Sequence, residues 1–232
     1  MAKIGKRLQK SQELVQGKGI ISLDEASQLI EQLPSAKFDE TIDLTIKLGV
    51  NPKKAEENVR GTVSLPHGTG KTIRVLAICK GDKFKEAESA GADFVGAEDV
   101  VEKIQGGWLD FDAVVATPDA MSLVGRIGKI LGPRGLMPNP KVGTVTPDIG
   151  KAVEAIKSGR VEFRVEKAGI VHLGVGKKSF GAAKIKENIT TAIDAIVKAK
   201  PQTSKGTYLK GVYLSTTMGP GLQVDTASVQ AD

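Results

Sequence analysis

The sequence predicts two domains of different class: a discontinuous α+β domain made from both chain ends, and a Rossmann-like parallel α/β domain inserted into it. Three observations carry this reading. Near both ends, short apolar stretches alternate with period two, the mark of half-buried strands. Between residues 73 and 131, continuous apolar runs alternate with helical patterns, the order that builds a parallel sheet covered on both faces. The charge also divides unevenly. The 232 residues carry a net charge of +6, yet residues 68–159 hold 12 Lys and Arg against 12 Asp and Glu. The whole positive excess therefore lies in 1–67 and 160–232.

The elements follow in order. Ile4, Leu8 and Val15 fall near one face of a first helix, with Lys3, Lys6, Arg7 and Lys10 elsewhere, and Gly17-Lys18-Gly19 ends it. Ser22 with Glu25 three residues on forms a capping box. It opens a helix whose apolar stripe is Leu23, Ala26, Leu29, Ile30 and Leu33, stopped by Pro34. Ile42, Leu44, Ile46 and Leu48 alternate with polar residues as a strand, and Val59 to Leu65 gives a second. Past Pro66-His67-Gly68-Thr69-Gly70 the character changes. Strands are predicted at 73–79, 93–95 and 111–117, and helices at 82–90, 97–105 and 118–131. A Gly/Pro-rich loop spans 132–147, and a helix runs from Asp148 to about Ser158. After Gly159 the alternation returns at 161–165, and Lys167-Ala168-Gly169 reads as a turn into a return strand at 170–175, a hairpin. A helix with Ile185, Ile189, Ile193 and Ile196 on one face and a long strand, 207–217, complete the pattern. Domain boundaries of 1–67 with 160–232, and 68–159, make Pro66, His67 and Gly68, with Ser158 and Gly159, the expected hinge.

Composition excludes several functions. Aromatic residues are 4% of the chain, so the core rests on Val, Ile, Leu and Ala. A single cysteine, Cys79, permits no internal disulfide and fits a reducing, cytoplasmic setting. It sits in an apolar run, as a small buried hydrophobe does. Two distant histidines, His67 and His172, with one cysteine make a poor zinc set. No apolar stretch approaches the ~20 residues that span a bilayer, and Met1 to Arg7 has no apolar run behind it to serve as a secretory signal. No cofactor, metal or membrane is expected.

Gly68-Thr69-Gly70-Lys71-Thr72 looks like the tail of a P-loop. However, Leu65 stands where the leading glycine belongs, and a strand rather than a helix follows. Asp93, Glu98, Asp99, Asp110 and Asp112 read as helix surface and caps, not as a catalytic dyad, and no Ser-His-Asp or Cys-His spacing stands out. No catalytic residue is assigned. The basic residues after Gly159 (Arg160, Arg164, Lys167, Lys177, Lys178, Lys184, Lys186) are either a solvated face or a phosphate track. In the last strand Ser215 and Thr217 share a face and offer hydroxyls, while Thr216 points with the apolar side. Gly219 and Gly221 let backbone approach a ligand closely.

Four runs carry a resemblance over nearly the whole chain: Lys37-Phe38-Asp39-Glu40-Thr41, Asn58 to Gly68, Leu131 to Pro140 (LGPRGLMPNP) and Thr216-Thr217-Met218-Gly219-Pro220. With them the chain resembles the bacterial L-one family of large-subunit ribosomal proteins, the family of the mobile ribosomal stalk. The resemblance implies a discontinuous RNA-binding domain that grips large-subunit rRNA, and a monomer within the cytoplasmic ribosome. It further implies assistance to release of deacylated tRNA from the exit site, and repression of its own operon through the mRNA. Carried over as RNA contacts are Lys37, Phe38, Thr41, Arg164, Ser215, Thr217, Met218 and Gly219, with His172 and Lys177 on the hairpin. Phe38, ahead of a strand, reads on its own either as core packing or as a surface on which a base or ribose stacks. The Gly132–Pro147 loop, with Arg134 and Lys141, is either a contact or a structural clamp.

Overall fold

The computed structural model describes residues 5–81 and 83–229. Lys3 and Ile4, expected in the first helix, and Asp82, expected to open the third, lie outside the described residues. In chain order the elements are α1 (Lys6–Val15), α2 (Leu23–Gln32), β1 (Thr41–Leu48), β2 (Arg60–Ser64), β3 (Val75–Ile78), α3 (Lys83–Ser89), β4 (Phe94–Gly96), α4 (Glu98–Gln105), β5 (Ala113–Ala116), α5 (Met121–Leu131), α6 (Ile149–Lys157), β6 (Arg160–Arg164), β7 (Ile170–Lys177), α7 (Ala182–Lys198), β8 (Leu209–Thr216) and β9 (Gly221–Val224). The chain forms two compact units, residues 1–70 with 161–232 and residues 71–160.

In the first unit a four-stranded antiparallel sheet runs β7-β1-β8-β9. The apolar half of β1 (Ile42, Leu44, Ile46, Leu48) is buried, and it shares one core with Ile30 of α2 and Ile189, Ile193 and Ile196 of α7. The Ser22–Glu25 capping box is formed in both directions and starts α2 where the sequence predicts. Strand β9, which the sequence reading does not contain, pairs with β8 and takes a parallel bridge from Ile21 to Val224.

The expected hairpin at 161–175 forms only at its turn: the Glu166 N–H donates to the Ile170 carbonyl at 2.9 Å and Val165 makes an antiparallel bridge with Val171, while strand β6 pairs with β2 in a separate two-stranded sheet. Gly61 explains the divergence: a Cβ there would stand 2.7 Å from Cζ of Phe163, so the buried Phe163 ring of β6 fits against β2 only over a glycine.

Tyr208, buried beside this core, donates its hydroxyl to the Ile196 carbonyl at 3.1 Å. Burial pushes its pKa up to about 12. A raised folded-state pKa means stability that is complete below the unfolded value of ~10 and lost as pH climbs from there through about 12. Tyr208→Phe should remove that alkaline loss, measured as urea midpoints between pH 9 and 12.

The second unit is a parallel sheet ordered β4-β3-β5. All four residues of β3 are buried: Leu76 and Ile78 join the core under α4 and α5, and Val75 and Ala77 the core under α3 and α6. That two-sided burial is why the run reads as continuously apolar. Trp108 meets Phe94 edge-on at 4.9 Å between ring centroids and Phe111 at 5.4 Å.

The Gly/Pro loop has two halves. Asn139 to Thr146 is a clamp: Thr144 Oγ1 accepts from the Asn139 N–H at 2.8 Å, and the Ala116 N–H donates to the Thr144 carbonyl at 2.9 Å. Val145 adds a parallel bridge to the end of β5. Gly143 (φ 75°) lies where a Cβ would sit 2.9 Å from Nη2 of Arg160, whose guanidinium donates to the Val142 carbonyl. Gly132, Pro133, Arg134 and Gly135, by contrast, are exposed.

Candidate nucleic-acid interface

Register assembles the site. Thr41 opposes Lys177 across β1 and β7, and Ile42 opposes Thr216 across β1 and β8, so the chain leaves β8 with Thr217 beside Thr41. The Thr217 N–H donates to the Thr41 carbonyl at 3.0 Å. The Thr217 hydroxyl accepts from the Thr41 N–H at 3.0 Å and donates to the Thr41 carbonyl at 3.2 Å. Thr217 is exposed. Its proton is used internally, so its second lone pair is what it offers outward, to a donor such as a 2′-hydroxyl. Lys177 Nζ donates to Thr41 Oγ1 at 3.0 Å and to the Asp39 carbonyl at 3.2 Å, placing its cation at the same sheet end.

The segment leading into β1 is held the same way. Lys178 Nζ donates to the Leu33 carbonyl and to Ser35 Oγ, and its N–H donates to the Glu40 carbonyl at 2.9 Å. Ser179 donates to both oxygens of Asp39, from its N–H at 3.2 Å and its hydroxyl at 2.7 Å. The loop so fixed presents Lys37 and Phe38 to solvent. Phe38 is 52% exposed, which excludes core packing, and Met218 is 51% exposed. Two large apolar side chains held outward from ordered backbone are what a stacked base or ribose needs.

Beneath them lies Glu40, 1% exposed. Its Oε1 accepts from Arg7 Nη1 at 3.1 Å and the Ala36 N–H at 2.6 Å, and its Oε2 accepts from the Met218 N–H at 3.3 Å. Arg7 Nη2 also donates to the Met218 carbonyl at 3.2 Å. Burial by itself pushes the Glu40 pKa up. The hydrogen bonds from the Thr216 hydroxyl and from the Ala36 and Met218 amides, with the Arg7 charge, outweigh it and hold the carboxyl below its ordinary range. Thr216 is buried, as the alternation predicts, and Gly219 packs so closely that a Cβ would stand 2.4 Å from Thr216 Oγ1.

The structure thus gathers Lys37, Phe38, Thr41, Lys177, Thr217, Met218 and Gly219. Ser215, half-exposed, pairs with Asp43 one step into the sheet. His172 lies opposite Thr45, four residues up β1 and so ~13 Å from the Thr41 row. Its Nδ1 meets Thr45 Oγ1 at 3.2 Å, and Nε2 pairs with Glu166. Arg164 is exposed on β6, in the other sheet, and is not brought to this cluster by strand pairing.

The five expected hinge residues lie within a few residues of the two boundaries between the units. Buried Asn188 accepts from the His67 N–H at 3.1 Å and donates to the Gly68 carbonyl at 3.0 Å, securing Pro66-His67-Gly68 to the first unit. Ser158 and Gly159 close the last turn of α6, their N–H groups donating to the Glu154 and Ile156 carbonyls. Arg7, Glu40, Asp39 and Ser179 are not legible in the sequence as site builders, and Lys178 is legible only as one of several basic residues; the one signal is that Asp39 and Glu40 stand between two expected contacts, Phe38 and Thr41.

Chemically the site offers hydroxyl, ammonium, backbone and apolar surface. Among the described residues no group of His, Cys, Asp and Glu could hold a metal, and no helix is long and apolar enough to cross a membrane. Residues 68–72 lead into β3 without a helix, so they form no phosphate cradle. Two comparisons bear on this arrangement. The family model for the ribosomal protein L1p/L10e family matches residues 29–220. A large ribosomal subunit protein uL1 from Solidesulfovibrio magneticus is 56% identical over 230 residues, 99% of this chain and 98% of that protein.

Proposed function

The chain belongs to the ribosomal protein L1p/L10e family and is a structural constituent of the large ribosomal subunit rather than an enzyme; we propose that it binds large-subunit rRNA through residues 37–41, Lys177 and 215–219. The observation that carries this is the prearranged end of the β7-β1-β8 sheet. There Thr217, Thr41 and Lys177 are already cross-linked by hydrogen bonds, with Phe38 and Met218 exposed in the flanking segments. Such a surface reads RNA by shape, stacking and the 2′-hydroxyl, and its fixed geometry lowers the ordering cost of binding. The positive excess supports the reading, because neutralised phosphates give affinity that falls steeply with salt.

We extend the proposal to the family's regulatory and tRNA roles. The same surface recognises a similar fold in the protein's own operon mRNA and represses it, in competition with rRNA. The second unit assists release of deacylated tRNA from the exit site. The protein acts as a monomer in the ribosome, in the cytoplasm. Flexing between the units is assigned to the glycine-bearing crossings at Pro66, His67 and Gly68 and at Ser158 and Gly159.

Capture of fragmented total RNA on the full chain, followed by sequencing, tests the central proposal. Enrichment of one large-subunit rRNA segment is expected. Indiscriminate capture would reduce the protein to a general basic chaperone of nucleic acid, and capture dependent on ATP or NAD would point to the α/β unit instead.

A further inference from the structure

Past Thr216 the chain has left β8, and β9 begins only at Gly221. The turn between them, which carries Thr217, Met218 and Gly219, is therefore held from two sides: Thr217 is bonded through its N–H and hydroxyl to Thr41, and Met218 through its N–H to Glu40 and its carbonyl to Arg7, with the Gly219 N–H closing the turn on the Thr216 carbonyl. We infer that Glu40, clamped by Arg7, is a positioning residue for RNA binding: its buried carboxylate fixes the Thr216–Gly219 turn from beneath and makes α1 part of the binding apparatus. This rests on the RNA-binding reading above.

The chemistry of the four donors demands a carboxylate. Each oxygen faces hydrogen-bond donors, Oε1 those of Arg7 and Ala36, and Oε2 that of Met218, with the Thr216 hydroxyl completing the set. An ionised carboxylate only accepts, so it satisfies them all. An amide would turn an NH2 toward donors on one side. Arg7 does double work: its two terminal nitrogens bind Glu40 and the Met218 carbonyl, so one guanidinium spans the carboxylate and the turn.

Simple electrostatics predicts the opposite consequence, which makes the inference sharp. A negative charge next to a surface for a polyanion repels it, so Glu40→Gln on charge alone would tighten RNA binding. Positioning predicts weaker binding.

The test uses the full chain, a large-subunit rRNA fragment captured as above, and four variants: Glu40→Gln, Arg7→Met, Thr217→Ala and Glu40→Gln with Thr217→Ala. Glu40→Gln should lose about tenfold or more in affinity, the scale of one charge-assisted hydrogen bond, mainly through faster dissociation. Arg7→Met, which removes a partly exposed side chain and keeps the carboxylate, should lose several-fold; it carries the test if Glu40→Gln does not fold. The double variant should lose less than the product of the single losses, because both act through one turn; independent destabilisation would multiply. In the free protein the Met218 amide should exchange its hydrogen faster in Glu40→Gln while those of Leu44 and Ile46 do not. Unchanged or tighter binding by Glu40→Gln and Arg7→Met, with Thr217→Ala weakened, overturns the inference and leaves the RNA-binding reading intact. Wild-type protein that captures no specific RNA overturns both.

Discussion

Thr217→Ala is expected to weaken binding to the large-subunit rRNA segment by ~1–3 kcal/mol, the penalty for a buried hydrogen-bonding group left without its partner; this is roughly 5- to 150-fold in Kd. The fold should be almost untouched. The Thr217 N–H still donates to the Thr41 carbonyl, and the Thr41 N–H that loses its hydroxyl acceptor lies at an exposed position where water replaces it. Thr217→Ser keeps the hydroxyl and should recover most of the affinity. Parallel Kd measurements and thermal melts separate the effects: an affinity loss without a change in Tm is the expected pair. The same Kd as wild type for Thr217→Ala would remove Thr217 from the interface.

The largest effect on stability is expected from Leu44→Ala. Leu44 is fully buried in β1, the strand flanked by β7 and β8, and its register neighbours Leu173 and Leu214 are buried as well. With neighbours on both sides in a hydrogen-bonded sheet, the site collapses poorly around a missing isobutyl group, so a loss of ~2–5 kcal/mol is expected. That lowers the Tm of the first unit by roughly 6–15 °C for a unit of this size. A drop below about 1 kcal/mol in urea unfolding would mean that the core under β1 is loosely packed.

What the sequence made legible follows from how local each signal is. The alternation of β1, the capping box of α2 and the unbroken apolar run of β3 are set by neighbours within a few residues, and each element stands where those patterns place it. In the 161–175 segment the turn follows the local pattern, but the partner of β6 does not. Two alternating stretches around Lys167-Ala168-Gly169 satisfy every local rule for a hairpin. The partner of β6 is instead selected a hundred residues away, where Gly61 makes room for Phe163. In the Gly/Pro loop, composition signals irregular backbone but not which half is anchored; the anchors are Ala116 and Arg160, outside the loop.

The candidate site divides likewise. Exposure of Thr217 and burial of Thr216 follow from strand periodicity. Glu40 does not, because an acidic residue ahead of a strand normally faces water. Its burial depends on Arg7, 33 positions earlier, and Met218, 178 positions later. No window of sequence contains all three. Around residues 66–68, glycine and proline mark a change in the chain's path but not what fastens it. Asn188, which fastens His67 and Gly68, is about 120 residues distant.

The most direct test of RNA binding at the end of the β7-β1-β8 sheet is a cross-linking map of the intact protein on large-subunit rRNA, read by mass spectrometry of the linked peptides. Cross-links should concentrate in the peptides holding Lys37-Phe38, Lys177 and Thr217-Met218, and weaken in Thr217→Ala. Cross-links confined to residues 71–160, with the Thr217→Ala pattern unchanged, would contradict the assignment.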